Sequence, residues 1–371
     1  MLIAVIGGKL QGVEALYLAE KAGYQTLLID KNPDAIATDL CDTFLQFRFS
    51  VDQPIPEDCP PIDLILPAIE DNTVLAALKI WAEKADIPLA FDQDAYRVSN
   101  SKLISDELFK KLKLPAPRPW PDCSFPIVVK PDQESGSRGV EILLDQKSLQ
   151  QYIAESPADS RIVIQEYIEG PSYSIEVIGF PGSYQPLQVT ELHMDSSYDC
   201  KRVTAPSGLP PALICDFENM ARTIAEKIEL RGIMDVEVVL HDNELKLLEI
   251  DARLPSQTPI AVYWSTGVNM VKILCEQFLN KKTAVSKKNA TRFASIEHIR
   301  VQGNNLEVCG EHIMSSDTAL TLQPDFFGAD EALTSYLPKK RNWVATMIFI
   351  GNSDDEVSAK RRYCYEKIKN M

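Results

Sequence analysis

The sequence of 371 residues predicts a mixed fold, α/β in its first part and α+β in the rest. Three observations support this prediction. Strand and helix patterns alternate over the first 95 residues, an acidic β-hairpin lies near residue 240, and the chain after about 285 is β-rich and ends in a charged helix. We therefore expect three units, which span residues 1–95, 96–285 and 286–371.

Composition and charge exclude several classes of function. Hydrophobic residues make up 45% and charged residues 25% of the chain, which is ordinary for a globular protein. The formal net charge of −15 would repel nucleic acid and anionic membrane surfaces. We therefore expect small-molecule substrates, with no nucleic-acid or membrane partner; the oligomeric state does not follow from these features.

The cysteines and histidines show no metal or disulfide pattern. The eight cysteines are scattered without a C-x-x-C pair, and the four histidines lack ligand spacing. The N-terminus does not resemble a signal peptide, and no apolar run approaches about 18 residues. These observations predict reduced thiols and a cytoplasmic location.

The first unit has the pattern of a Rossmann-like βαβ start. Its glycine turn departs from the dinucleotide pattern G-x-G-x-x-G, because Lys9 stands where the middle glycine must let the backbone touch a pyrophosphate. This disfavours an NAD-dependent enzyme, whereas the lysine could pair with a small anion. The predicted elements are strand Leu2–Ile6, helix Gly12–Ala22, strand Gln25–Ile29, strand Leu64–Leu66 and a helix from about Asn72.

The second unit carries two lysines and a loop of small residues. Lys102 lies on a helix that begins near Ser101, and Lys130 is the one charged residue of the apolar strand FPIVVKP. The loop that follows can close its backbone N–H groups around a phosphate, although Ser/Gly hairpins are common. A later strand, IVIQEYIEG, has an acidic end that could pair with adenine or simply terminate the strand.

The segment from residue 232 to 253 predicts an acidic hairpin with strands Ile233–His241 and Leu245–Asp251. The alternation places Asp235 and Glu237 on one face of the first strand, and Glu249 and Asp251 on one face of the second together with Leu245 and Leu247. A three-residue loop, Asp242–Glu244, would bring both acidic pairs to the same side of the sheet. A two-residue loop would place them on opposite faces.

Carboxylates gathered on one face repel each other as water is excluded, so such a cluster requires a cation. Magnesium is the economical candidate, since it takes carboxylate oxygens together with waters and substrate phosphates. Arg253, just after the second strand, could hold a phosphate or an oxyanion at the same place. The competing interpretation is a solvated acidic face.

These parts, in this order, resemble the ATP-grasp superfamily: a helix lysine, a strand lysine, a small-residue loop, an acidic hinge and an acidic strand pair that ends in arginine. GGKLQG, IDKNP, YDC with VT three positions on, GIMDVE and EIDARLPSQTP further resemble the 3-methylornithine:L-lysine ligases of pyrrolysine biosynthesis, over most of residues 1–280. Gly136 and Arg138 depart from the serine-rich phosphate loop of that family.

The resemblance implies an ATP-grasp core of two subdomains behind a Rossmann-like unit, with a β-rich segment at the C-terminus. It also implies an ATP-dependent ligase that uses two Mg²⁺ ions and joins 3-methyl-D-ornithine to the ε-amine of L-lysine through an acyl phosphate. Two alternatives are another ATP-grasp amino-acid ligase, such as the D-alanine:D-alanine type, and a non-catalytic ATP-binding regulator.

The resemblance assigns roles to individual residues. Asp235, Glu249 and Asp251 would bind magnesium, with Glu237 behind them. Arg253 and Glu249 would be the catalytic residues. ATP would contact Lys102, Lys130, Ser135, Gly136, Ser137, Arg138, Gly139, Glu166, Tyr167 and Ile168.

The substrates would be recognised by a further set, for which ordinary loop residues are the competing interpretation. The N–H groups at the start of a helix from Ile260 form an anion site suited to a substrate carboxylate. The set is Lys9, Leu10, Gln11, Asp30, Glu70, Tyr198, Asp199, Ser256, Gln257 and Thr258.

Overall fold

The structure is a computed structural model that describes residues 1–50, 56, 59–134, 136–157, 159–279 and 289–371. Ser135, predicted to contact ATP, lies outside the described residues. Within them, no helix is long and apolar enough to cross a membrane.

The N-terminal part is a parallel sheet with helices packed on it, as the alternating pattern predicts. Its strands lie in the order β3-β2-β1-β4, and the central residues of β1, β2 and β4 are buried because helices cover the sheet. The first helix begins at Leu10 and not at Gly12, so the glycine turn is shorter than expected. The elements are β1 Leu2–Ile6, α1 Leu10–Lys21, β2 Gln25–Asp30, β3 Thr43–Gln46, β4 Leu64–Pro67, α2 Asn72–Ala85 and α3 Gln93–Ser99.

A small antiparallel sheet follows, in the order β6-β5-β7. The Ser101 side chain caps the first helix of this part, which fixes the position of Lys102 in its first turn. A helix packs on the sheet through the buried Leu149. The elements are α4 Lys102–Leu112, β5 Ile127–Pro131, β6 Glu141–Leu143, α5 Gln146–Glu155 and β7 Ile162–Glu166.

The rest of the chain builds one large antiparallel sheet. Its order is β13-β12-β8-β10-β11-β14-β18-β17-β16, with β9 beside β8 and β15 beside β14. The elements are β8 Ser172–Phe180, β9 Ser183–Pro186, β10 Thr190–Met194, β11 Cys200–Ala205, α6 Pro211–Lys227, β12 Gly232–His241, β13 Glu244–Asp251, α7 Thr258–Thr266, α8 Met270–Phe278, β14 Phe293–Gln302, β15 Asn305–Val308, β16 Thr321–Pro324, β17 Glu331–Thr334, β18 Asn342–Gly351 and α9 Asp354–Lys369.

The pairing of β11 with β14 joins the middle of the chain to its C-terminal segment. Strands from the second and third predicted units therefore share one sheet and one hydrophobic core, to which Val203 and Ile296 both contribute. The boundaries at 95 and 285 stay a prediction.

The acidic hairpin forms with the shorter of the two loops considered, but the expectation that this loop would place the acidic pairs on opposite faces was wrong. His241 pairs with Glu244, so the loop has two residues, Asp242 and Asn243, both in the left-handed region as a type I′ turn requires. A bulge then inserts Leu248, because Val238 pairs with Leu247 whereas Glu237 pairs with Glu249.

The bulge has a second effect on the faces of β13. It moves Leu245 and Leu247 to the face that carries Ile250, where all three are buried in the core beneath α6. The sequence alternation had placed these two leucines with the acidic residues. The predicted pairing of the carboxylates on one side of the sheet is nevertheless correct.

Candidate active site

Three neighbouring strands present two rows of polar side chains. In one row Glu176, Asp235 and Asp251 lie opposite each other on β8, β12 and β13. In the next row Glu237 pairs with Glu249 on one side and with a serine of β8 on the other. Since successive rows are two residues apart, all of these side chains lie on one face of the sheet.

Burial and mutual repulsion raise the pKa values of the carboxyl groups in this cluster. Burial raises the pKa of Asp235 to about 6 and the pKa of Asp251 to about 8, with the charge of Glu249 adding to both. Burial likewise raises the pKa of Glu176 to about 8 and that of Glu237 well above its ordinary value, and Asp235 adds to both. A cation bound among these carboxylates would offset their mutual repulsion.

The donor set fits magnesium. Among the described residues, no group of three or more His, Cys, Asp or Glu side chains is already arranged to hold a metal ion. Glu249 and Asp251 instead face Lys102 and Arg253, at 2.9 Å and 3.0 Å. Carboxylate oxygens that share excess negative charge are the ligands that Mg²⁺ prefers.

The two predicted lysines converge on Glu249. Lys102 Nζ lies 2.9 Å from Glu249 Oε1 and donates to the Glu134 carbonyl at 2.5 Å. Burial lowers the pKa of Lys102, but Glu249 and other carboxylates outweigh it and raise that pKa overall. Lys130 is 7% exposed, and burial lowers its pKa even though Glu249 and Asp106 oppose the effect. Buried ammonium groups side by side are suited to a polyphosphate.

Arg253 connects the acidic strands to the N-terminal sheet. Its Nη2 donates to Asp251 Oδ2 at 3.0 Å, and its Nε lies 2.7 Å from Glu70 Oε1. Gln11, in the first turn of α1, donates to the same Glu70 oxygen at 2.6 Å. Arg253 thus lies where the glycine turn, the end of β4 and the acidic cluster meet.

The other predicted residues at the glycine turn differ in their exposure and in their hydrogen bonds. Lys9 precedes α1 and is exposed, while Leu10 is half-buried. The carboxylate of Asp30 accepts the N–H groups of Gly8 at 2.7 Å and Asn32 at 2.8 Å. Asp30 therefore holds the turn in shape.

The start of α7 is anchored by the chain's own carboxylates. The helix begins at Thr258 and not at Ile260, and the Ile260 N–H donates to Glu14 at 2.6 Å. Glu14 is buried in α1, and burial raises its pKa to about 8. The predicted anion site at this helix start is therefore occupied by Glu14.

The neighbouring side chains of this helix start also bind carboxylates. Thr258 donates to Glu176, and Ser256 donates to Glu311 at 2.9 Å. Gln257 has a positive φ and is buried, and its side chain bonds to Glu311 as well. The segment 255–259 thus joins the acidic cluster to the C-terminal segment.

The phosphate loop lies against two other segments. Ser137 donates to the Tyr198 carbonyl at 2.7 Å, and the hydroxyls of Tyr167 and Tyr198 lie 3.1 Å apart. Gly136 and Gly139 take positive φ values, while Arg138 is exposed, 3.9 Å from Glu134. The structure therefore brings together three predicted segments that are distant in sequence, at Ser137, Tyr167 and Tyr198.

The predicted adenine edge is engaged by an arginine. The guanidinium of Arg118 donates two hydrogen bonds to Glu166, at 2.6 Å and 3.2 Å, and this pairing holds the pKa of Glu166 below its ordinary value. Tyr167 donates its backbone N–H to Pro126, and Ile168 is half-buried. The charge of Glu166 is therefore already paired.

Several residues of the site were missed from the sequence. Glu176 could have been found, because Ser174 and Glu176 alternate with apolar residues along β8, as a strand with one polar face does. Glu14, Glu311 and His312 have no comparable local signal, since their partners lie far away in the chain.

The buried carboxyls predict how stability changes with pH. Glu14, Glu176 and Asp251 each have a folded pKa of about 8, above the ordinary range, so the folded state binds more protons than the unfolded state and stability falls as pH rises toward 8. His193 and His298 have pKa values lowered by burial to about 4 and about 3, and they act in the opposite direction only below about pH 6.5.

Without Mg²⁺, the free energy of unfolding should therefore fall by on the order of 1–3 kcal/mol between about pH 7 and pH 8.5. Urea titrations at intervals across this range would measure the fall. Asp251→Asn removes one of the titrating groups and should flatten the slope. A free energy that stays level or rises in the wild type would contradict the prediction.

Comparisons with known proteins identify the fold. A family model of the ATP-grasp domain matches residues 99–257. The ADP complex of N5-carboxyaminoimidazole ribonucleotide synthetase superposes with a TM-score of 0.72 at 15% identity, covering 100% of this chain and 98% of that one. The biotin carboxylase domain of the 2-oxoglutarate carboxylase of Hydrogenobacter thermophilus gives 0.74 at 14% identity, covering 98% and 89%. Fold and site together define an ATP-grasp protein.

A closer likeness lies in sequence. The 3-methyl-D-ornithine–L-lysine ligase of Methanosarcina mazei is 35% identical over 363 residues, which is 97% of this chain and 93% of that relative. The chain belongs to the family of 3-methyl-D-ornithine–L-lysine ligases.

Proposed function

We propose that this protein is an ATP-dependent ligase of pyrrolysine biosynthesis that joins the carboxylate of (3R)-3-methyl-D-ornithine to the ε-amine of L-lysine. The observation that carries the proposal is the position of Arg253, which contacts both Asp251 of the acidic cluster and Glu70 beside the glycine turn. A nucleotide on the lysines and an amino acid in the N-terminal cleft would meet at this arginine.

The reaction has two steps. The substrate carboxylate attacks the γ-phosphorus of ATP, which gives an acyl phosphate and releases ADP. The ε-amine then attacks the acyl carbon, and inorganic phosphate leaves as the amide forms. Both steps depend on positioning and charge neutralisation. Lys102 and Lys130 would hold the α- and β-phosphates, and Arg253 would stabilise the negative charge on the acyl phosphate and the tetrahedral oxyanion.

Asp235, Glu249 and Asp251 would hold magnesium, with two ions sharing Glu249. When bound, the metal supplies positive charge to the phosphate oxygens. Asp235 is buried and accepts a hydrogen bond from Ser174, whereas Glu237 is half-buried opposite Glu249. Glu237, which lies opposite Glu249 on the same face, would support these ligands.

The remaining assignments complete the site. The backbone of Ser135, Gly136, Ser137, Arg138 and Gly139 would cover the transferring phosphate. Glu166, Tyr167 and Ile168 would line the adenine. The amino-acid substrates would be recognised by Lys9, Leu10, Gln11, Asp30, Glu70, Tyr198 and Asp199. Ser256, Gln257 and Thr258 would line the same pocket, without an anion site at the helix start, because Glu14 occupies it.

We also propose the division at residues 95 and 285 and a cytoplasmic location. The first unit would serve substrate recognition and the second nucleotide binding. The cytoplasmic location rests on the consumption of ATP and on cysteines that are unbridged in the structure.

ADP release with L-lysine held constant tests the function. The rate should be highest with 3-methyl-D-ornithine, lower with D-ornithine and negligible with D-alanine. Highest turnover with D-alanine would favour the D-alanine:D-alanine type, and no turnover with any acid would favour an ATP-binding regulator. The identity to a curated ligase over nearly the whole chain favours neither alternative.

Lys9→Met tests the N-terminal turn. The exposed ammonium of Lys9 is suited to a substrate carboxylate, and loss of a charged hydrogen bond costs about 1.5–3 kcal/mol. The apparent KM for one amino acid should rise about tenfold or more while the KM for ATP changes little. Lys31→Met, which removes the exposed lysine that follows β2, should change neither constant. A variant that loses ATP affinity and keeps amino-acid affinity would contradict the assignment.

A further inference from the structure

The C-terminal segment brings a histidine to the phosphate loop. A 3-10 helix, Glu311–Ser316, follows β15 and is anchored by the fully buried Met314. His312, in its first turn, places Nδ1 at 2.8 Å from Asp199 Oδ2, and its backbone N–H donates to the same oxygen at 3.2 Å. Asp199 therefore fixes both the position of the ring and the nitrogen that carries its proton.

Two glycines allow His312 to lie close to Asp199 and to the phosphate loop. A Cβ at Gly310 would lie 2.0 Å from Asp199 Cγ, so only glycine lets the 3-10 helix begin this close to the carboxylate. A Cβ at Gly136 would lie 2.7 Å from His312 Nε2, so the other ring nitrogen faces the phosphate loop. The His312 side chain is 40% exposed and can be reached by a substrate.

The surroundings of His312 favour a cation. Glu311 on the same helix and Asp199 are both acidic, and burial together with the charges of Glu311, Glu237 and Asp199 raises the pKa of the Cys200 thiol. Glu311 accepts a hydrogen bond from Ser256 just before α7, whereas His312 Nε2 faces Gly136, so this 3-10 helix lies between the start of α7 and the phosphate loop. The ammonium group of an incoming amine fits such a region.

The other histidines of the chain are placed elsewhere. His193 bonds to Arg202 and Thr204, and His298 is buried against Thr346. His241 lies at the hairpin turn, bonded to the Glu169 carbonyl. His312 is the histidine that contacts the predicted phosphate loop.

We propose that His312, oriented by Asp199, accepts a proton from the ε-ammonium of L-lysine and so generates the nucleophile. This inference rests on the proposed function. Nε2 takes one proton from the ammonium, and the neutral amine forms the C–N bond as the C–O bond to phosphate breaks. The second amine proton leaves with the phosphate, and His312 returns its proton to solvent. A base in this role contributes about 100-fold or more.

The test compares two nucleophiles. His312→Asn keeps a donor for Asp199 but cannot accept the proton. Turnover with L-lysine should fall about 100-fold. Hydroxylamine is largely uncharged near neutral pH and needs no base, so hydroxamate formation from ATP and 3-methyl-D-ornithine should stay within about twofold of wild type if the acyl phosphate still forms at its normal rate.

The pH profile gives a second readout. In the variant the lysine reaction should rise about tenfold per pH unit, because only the free amine reacts, whereas the wild type should level off. Asp199 and Glu311 are the charged groups that interact with the ring among the described residues. His241→Gln, at the hairpin turn, should leave both reactions unchanged.

Equal losses with lysine and hydroxylamine would show that His312 only holds the loop in place, and no loss with lysine would show that it is not the base; either result overturns the inference. A wild-type enzyme that makes no hydroxamate would instead overturn the proposed function, and the inference with it.

Discussion

Glu249→Gln should leave the fold intact and reduce ADP release about 100-fold or more, which corresponds to roughly 2.7 kcal/mol. Glu249 contacts Lys102 at 2.9 Å and faces Glu237 across the hairpin, so it lies between the phosphate lysines and the metal cluster. The amide removes one charge from a group of mutually repelling carboxylates. Stability should therefore stay level or rise slightly, as circular dichroism during thermal unfolding would report.

Glu244→Gln is the matched control for this variant. Glu244 begins the same strand and is exposed, with an ion pair to Lys246 at 2.5 Å. Its amide should leave turnover and unfolding unchanged within about 1 kcal/mol, because exposed ion pairs contribute little. If Glu249→Gln keeps more than about a tenth of wild-type turnover, Glu249 does not belong to the metal site.

Arg253→Lys should also lower turnover about 100-fold, even though the charge is kept. Arg253 uses one nitrogen toward Asp251 and another toward Glu70, and a lysine ammonium cannot span both groups. The transition-state charge would lose a rigid donor, for which losses of about 100-fold to 1,000-fold are typical. Stopped-flow measurement of ADP formation in a single turnover would separate this effect from product release.

Arg300→Lys provides the comparison for the arginine. Arg300 pairs with Glu307 at 2.7 Å on the exposed surface of the C-terminal strands. The change should cost less than about 1 kcal/mol and leave turnover as it is. An Arg253→Lys enzyme with near-normal single-turnover rates would move the stabilisation of the acyl phosphate to another residue.

Local patterns predicted the acidic face but not the way the chain produces it. Period-two alternation paired Asp235 with Asp251 correctly, because each strand is regular near its end at the site. The consequences of a two-residue and a three-residue loop were both worked out on the assumption of an unbroken second strand. The bulge at Leu248 makes this assumption wrong, and a pattern of apolar and acidic residues does not reveal where a bulge occurs.

Contacts between distant segments could not be predicted from local patterns. Glu14 looks like a surface residue of an amphipathic helix, and only the packing of α7, whose Ile260 it binds, makes it buried. His312 lies in a short 3-10 helix without periodicity, and its partner Asp199 is 113 residues away. The arrangement of the strands in the sheet determines which distant residues become partners. The order of motifs indicates this arrangement only because it resembles that of a known family.

The bulge at Leu248 makes the acidic face tolerant of a change in chain length. If Leu248 were deleted, Leu247 and Glu249 would become neighbours, and the pairs of Val238 with Leu247 and Glu237 with Glu249 would both be kept in a regular ladder. The two-residue turn would not have to change. Hairpins one residue shorter at this position can therefore present the same carboxylates, so aligned relatives with a gap at this position would still be candidates for the same metal site.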